Sequence, residues 1–166
     1  TAAARAAPDG HTLWMGIVDT QAINMTAYPT LQYDADRDFA PISFVANVPF
    51  AYVVGPSRPG IRDFRGLMDA ARAQPGVVTF ASWGVASTSH LAMERVLRQQ
   101  GVEMLHVPFT GQAPGMQAIM ARQVDCMALP AGGAETMTRD GATRCVAVAA
   151  KQRIWLFPDT PTILEL

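Results

Sequence analysis

Between Phe50 and Ala150 short apolar runs alternate with longer segments whose apolar residues recur every three or four positions, and this alternation restricts the chain to few architectures. Phe50 to Val54, Val77 to Ala81, Met104 to Val107, Val124 to Leu129 and Arg144 to Ala150 read as strands, short and rich in β-branched or aromatic residues. Between them, Asp63 is a good N-cap for a helix that places Phe64, Leu67, Met68 and Ala71 on one stripe before Pro75-Gly76 stops it. A second helix runs to Gln100 and ends at Gly101, a third opens near Pro114 with Met116, Ile119 and Met120, and a weak fourth spans Ala134 to Arg139. Strand and helix in strict alternation specify an α/β fold with a mostly parallel sheet, whose ligands gather at the carboxyl ends of the strands.

Before Phe50 the pattern is thinner. Ala2 to Ala7 reads as the last turns of a helix, Thr12 to Gly16 as a short buried strand, residues 17 to 41 as turn and loop, and Phe44 to Ala46 as a further strand. A helix end with no start and a strand with no earlier partner imply that N-terminal structure is missing or supplied by another chain. An incomplete sheet of that kind leaves an unpaired edge or exposed apolar surface, which fits either a homodimer or domain-swapped assembly, or a piece of a longer chain.

Composition narrows the function. A chain of 166 residues, 49% hydrophobic and 16% charged, buries a sizeable core. Its net charge of −1 and dispersed arginines offer no basic field, which argues against a nucleic-acid surface. No apolar run reaches the roughly 18 residues of a membrane helix. Cys126 and Cys145 each sit in an apolar run and read as buried thiols, and His11, His90 and His106 are too dispersed for a zinc site. No cofactor motif is present, since no Gly-Lys-Ser/Thr follows a glycine run.

Three loops follow strand ends and converge: Ser82 to Ser89, Pro108 to Ala113 and Pro130 to Gly133. The first is an anion seat in form. An apolar strand enters a small, hydroxyl-rich turn that opens onto a helix, whose first N–H groups lack intrahelical partners and carry the positive end of the macrodipole. Ser82, Ser87, Thr88 and Ser89 supply hydroxyls, and Gly84 lets a ligand approach the backbone. In the second loop Thr110 and Gln112 either cap the next helix or bind a ligand. Ser87 and His90 stand three residues apart, as a helix-borne serine–histidine pair, but the Gly-x-Ser-x-Gly elbow of a hydrolase is absent.

The residues that remain resemble one family. Ala6-Ala-Pro-Asp-Gly-His-Thr-Leu13, Ala22-Ile-Asn24, Arg37-Asp-Phe-Ala-Pro41, Ser89-His-Leu91, His106-Val-Pro-Phe109, Gln123-Val-Asp125 and Pro158-Asp-Thr-Pro-Thr162 match, in one register, the Bug family of TctC-like extracytoplasmic receptors of tripartite tricarboxylate transporters. The resemblance implies a type II periplasmic-binding-protein fold of two lobes with crossing strands, lobe 1 holding residues 1–46 and 147–166 and being incomplete, lobe 2 holding 47–146. It implies a periplasmic, non-enzymatic receptor that captures a small organic carboxylate (a dicarboxylate, tricarboxylate or acidic amino acid) and hands it to membrane permease subunits. A role in sensing without transport is the alternative, and a Ser/His hydrolase a remote one. The ligand residues implied are Thr20, Gln21 and Asn24 from lobe 1 with Ser82, Gly84, Ser87, Thr88, Thr110 and Gln112 from lobe 2. Asp19 and Gln21 stand where such receptors more often carry Gly and His. A carboxylate at Asp19 facing an anion opposes it by roughly 1 kcal/mol or more in a screened cleft, which points to a ligand that also carries an amine; the alternative is that Asp19 faces solvent.

Overall fold

A computed structural model of the protein describes residues 2–166. The chain divides into two compact units, one formed by residues up to Ala46 with Ala86–Thr88, the other by Asn47–Val85 and Ser89–Leu166.

The second unit carries all five strands: β1 (Phe50–Val54), β2 (Thr79–Ser82), β3 (Leu105–Pro108), β4 (Cys126–Pro130) and β5 (Arg144–Ala149). They form one sheet in the order β3-β2-β4-β1-β5. β2 runs parallel to β3 and β4, while β1 is antiparallel to both β4 and β5, so four strands share a direction and β1 alone is inverted. The side chains of β1 and β4 alternate across it. Tyr52, Val54, Cys126 and Ala128 face a cluster with Phe64, Leu67 and Met68 of α2 (Phe64–Ala73) and Met93, Val96 and Leu97 of α3 (Thr88–Gln100). Ala51, Val53, Met127 and Leu129 face Ala118 and Ile119 of α4 (Gln112–Met120) and Ala134 and Met137 of α5 (Ala131–Thr138). Helices on both faces of the sheet explain why β1 and β4 are apolar on every residue. The one break in alternation lies in β5, where the register shifts opposite Tyr52 and Val53 and leaves Val146 and Ala147 in the same cluster.

Several boundaries differ from the sequence expectation. The strand at Val77 starts at Thr79, because Val77 N–H closes a turn onto Gln74. The fourth helix starts at Ala131, directly after β4, its first N–H satisfied by Pro49 carbonyl at 2.9 Å; Gly132 and Gly133 hid this start from propensity. Both cysteines are free thiols, Cys126 buried and Cys145 half-buried.

The first unit is built differently. Its helical parts are a 3₁₀ turn (Ala3–Arg5), a π-helical turn (Asp19–Ile23) and the short α1 (Asn24–Ala27). Trp14, Tyr33 and Phe39 form an aromatic cluster with centroids 4.4 to 6.1 Å apart. The expected strands Thr12 to Gly16 and Phe44 to Ala46 join no ladder, and Leu13, Met15 and Phe44 are 73%, 76% and 81% exposed. A strand needs a neighbour for its backbone groups, and among the described residues none lies alongside.

Candidate ligand-binding site

Because β3, β2 and β4 are adjacent and parallel, the loops after them leave the sheet at the same, carboxyl end. Phe109 N–H donates to Ser82 carbonyl at 2.8 Å and ties the second loop to the first. Gln112 ties the second to the third, its carboxamide lying where any side chain at Gly133 would collide with it. The three loops expected to converge therefore do.

The first loop is a hydrogen-bonded turn. Ser82 is fully buried, its hydroxyl donating to Gly84 carbonyl at 3.0 Å and accepting from Gly84 N–H at 3.1 Å. The same oxygen lies 2.6 Å from His106 Nε2. His106 stacks on Phe80, its partner in the β2–β3 register, at 4.8 Å and on His90 at 3.9 Å. Burial, with the neighbouring His90, lowers the His106 pKa to about 4, so its ring is neutral at pH 7. Sequence spacing alone brings Ser87 near His90; the structure adds a short serine–histidine contact that spacing does not show, Ser82 with His106. A fully buried hydroxyl on such a ring is out of reach of a substrate and so is no nucleophile. Beyond it, Gly84 and Ala86 take φ of +133° and +62°, left-handed values that Gly tolerates and Ala adopts at a cost. Ser87 is buried and Thr88 half-buried.

Thr88 N–H donates to Asp19 Oδ1 at 2.8 Å, and its hydroxyl donates to Asp19 Oδ2. A carboxylate thus sits on the first residue of α3, with both oxygens engaged. Ser89, next in the helix, is buried and donates its hydroxyl to Ala128 carbonyl, which fixes the start of α3 on β4.

The other two openings are bare of side-chain caps. At α4, Gly111 is the N-cap with no side-chain bond, Thr110 is exposed, and half-buried Gln112 donates to Met116 Sδ at 3.5 Å, so neither Thr110 nor Gln112 caps the helix. At α5, the N-cap Pro130 offers none either. In the first unit, Thr20, Gln21 and Asn24 are half-buried along the π-helical turn and α1. Thr20 hydroxyl donates to Ile17 carbonyl at 3.1 Å, and Tyr33 hydroxyl donates to Thr20 carbonyl at 2.6 Å. Among the described residues no three His, Cys, Asp or Glu side chains gather as for a metal ion.

Two features escaped the sequence reading. Asp19 was weighed as a charge facing the ligand or solvent, not as the partner of Thr88, because 69 residues separate them. In the sequence His106 stands only as a histidine too far from His11 and His90 for a zinc site and as the first residue of a family motif. The signal that places it is the β2–β3 register, which sets it opposite Phe80 and on the side of Ser82, two positions on.

Comparison with known proteins adds the lineage. The sequence profile described as tripartite tricarboxylate transporter family receptor matches residues 1–166. A UPF0065 protein encoded in the tcbD-tcbE intergenic region of a Pseudomonas species is 33% identical over 162 residues, covering 98% of this chain and 48% of the relative. Among solved structures, an R. palustris protein with adipate superposes with a TM-score of 0.93 at 29% identity, covering 99% of this chain and 55% of that one. MatC from Rhodopseudomonas palustris with bound malate gives 0.85 at 30% identity over the same shares. The chain spans about half the length of the curated relatives it matches. Its fold is the α/β fold of the periplasmic binding proteins, as the sequence led us to expect. The chain belongs to the receptor family of the tripartite tricarboxylate transporters.

Proposed function

We propose that this chain is part of a periplasmic receptor that captures a small organic carboxylate, without chemistry, for the permease subunits of a tripartite transporter. The observation that carries the reading is the carboxylate of Asp19 on Thr88: the opening of α3 holds a carboxylate with one N–H and one hydroxyl, and a ligand carboxylate that meets Thr88 takes the place of Asp19 there. The uncapped openings of α4 and α5, on loops tied to the first, offer further N–H donors. Malate and adipate, bound by two related proteins, are of the same ligand class. In this reading Ser87, Thr88, Thr110 and Gln112 meet the ligand, Ser82 and Gly84 shape the first loop, and Thr20, Gln21 and Asn24 are the donors of the first unit. Residues 1–46 and 147–166 then belong to one lobe and 47–146 to the other. The negative charge of Asp19 favours a ligand that also carries an amine.

Titration calorimetry with malate, adipate and aspartate tests this. Binding of at least one is expected, with Thr88→Val weakening it by about 1–2 kcal/mol through loss of one donor to a charged group. No heat with any of the three overturns the reading. Equal affinity for malate and aspartate overturns the amine preference alone.

A further inference from the structure

The three contacts of Ser82 Oγ leave little freedom in where protons sit. A hydroxyl owns one hydrogen, and Gly84 carbonyl, 3.0 Å away, is an acceptor that can use nothing else from it. Gly84 N–H occupies one lone pair of Oγ at 3.1 Å. If the serine proton pointed at His106 instead, Oγ and the Gly84 carbonyl oxygen would face each other with no proton between them. The pattern is complete when Ser82 donates to Gly84 and His106 Nε2–H donates to Ser82 at 2.6 Å.

We infer that His106 is a neutral Nε2–H donor that positions the 82–88 loop through Ser82, and so sets the ligand-binding turn without touching the ligand. The ring is held for this task from both directions. Phe80, His90 and His106 stack with their planes within 18° of one another, and the register of β2 and β3 fixes the imidazole opposite Phe80. What the bond secures is a turn of unfavourable backbone conformation. Gly84 and Ala86 both lie in left-handed regions, and the residues that follow, Ser87 and Thr88, are those expected to meet an anion. This assigns a task to His106 and makes it the reverse of a catalytic base, which would accept the serine proton.

The inference rests on the proposed receptor function only for its consequence in binding, so the test has two arms. The first needs no ligand: long-range proton–nitrogen correlation on the ¹⁵N-histidine-labelled protein at pH 7. His106 with a protonated Nε2 and a bare Nδ1 is expected; the opposite tautomer, or an imidazolium, overturns the inference. The second compares His106→Phe, which keeps an aromatic ring in the stack but removes the donor, with His106→Gln, whose amide N–H reaches about as far as Nε2. Amide exchange at residues 84–88 is expected to speed at least tenfold in H106F and to return toward the native rate in H106Q. Malate or adipate affinity is expected to fall about tenfold in H106F and recover in H106Q. Unchanged exchange in H106F, or H106Q behaving like H106F, overturns the inference. If the native protein has the expected tautomer and loop protection yet binds no carboxylate, the receptor reading falls and the positioning role of His106 stands.

Discussion

Asp125 shows how much one side chain can organise. Its carboxylate accepts from Ser57 hydroxyl at 2.7 Å, from Arg58 at 3.0 and 3.1 Å, and from Thr79 N–H and hydroxyl at 3.0 and 3.2 Å. Burial opposes its charge, but the bonds from Arg58, Thr79 and Ser57 and the charge of Arg58 outweigh it and hold the pKa below the ordinary carboxylate value. Removing it leaves Arg58 and the Thr79 N–H without their partner, so Asp125→Ala is expected to cost about 2–4 kcal/mol, read from urea midpoints; a loss within 0.5 kcal/mol would show the network to be ornamental. Two pH windows follow. Asp125 binds its proton more weakly folded than unfolded, so its contribution is complete above about pH 4 and vanishes as pH falls through the lower folded value. His106 likewise releases its proton on folding. Its contribution is complete above about pH 6.5 and declines as pH falls toward about 4, with His90 and, behind it, Glu94 at 3.8 Å from His90 Nε2 as the titratable groups nearby. Native stability should therefore fall in two steps on acidification, and H106F should erase the upper step alone. A single step unaffected by H106F would contradict this.

At the scale of elements, what was legible depended on whether the deciding interaction is local. The start of α2 was readable because its cap is three residues long: Asp63 Oδ1 accepts from Gly66 N–H at 2.7 Å, and the stripe of Phe64, Leu67, Met68 and Ala71 is buried as the spacing requires. Asp63→Ala should destabilise by about 1 kcal/mol, measured by thermal unfolding, and no change would mean that packing alone holds this terminus. The turn between α4 and β4 was not readable. Arg122 sits there at φ +61°, where local sequence offers no glycine to announce it. Arg122→Gly should relieve that conformation and raise stability by roughly 0.5–1 kcal/mol, and a loss would assign Arg122 a role in contacts instead. Thr12 to Gly16 fails in the opposite sense. Its pattern is that of a buried strand, but pattern cannot supply the partner on which a strand depends. The site divides along the same line. The loops and their hydroxyls were visible as strand–turn–helix junctions, whereas the Asp19–Thr88 and Ser82–His106 contacts join distant segments and wait on tertiary structure.

For the whole molecule, the difference between the two units governs behaviour. The second has helices on both faces of its sheet and buries its large residues, Phe80, Leu67, Met93 and Ile119 among them. The first presents Leu13, Met15, Ile17, Ile42, Phe44 and Val45 at 56 to 81% exposure, on segments that join no ladder. Apolar strand-like segments with free edges are the surface that proteins otherwise cover, shorten or charge. The 166-residue chain should therefore self-associate through this unit, and sedimentation velocity at micromolar concentration is expected to show dimers or larger species, with bright binding of an apolar dye. Charge at the strand-like positions should reverse this: Met15→Lys with Phe44→Lys places two like charges where a second copy would pack and should return the chain to a monomer with little dye binding. The second unit should be indifferent to that pair of substitutions, its far-ultraviolet circular dichroism and its cooperative urea transition unchanged. A native chain that stays monomeric and dark to the dye would mean that these residues are covered within one molecule, and the homodimer expectation would fall with it.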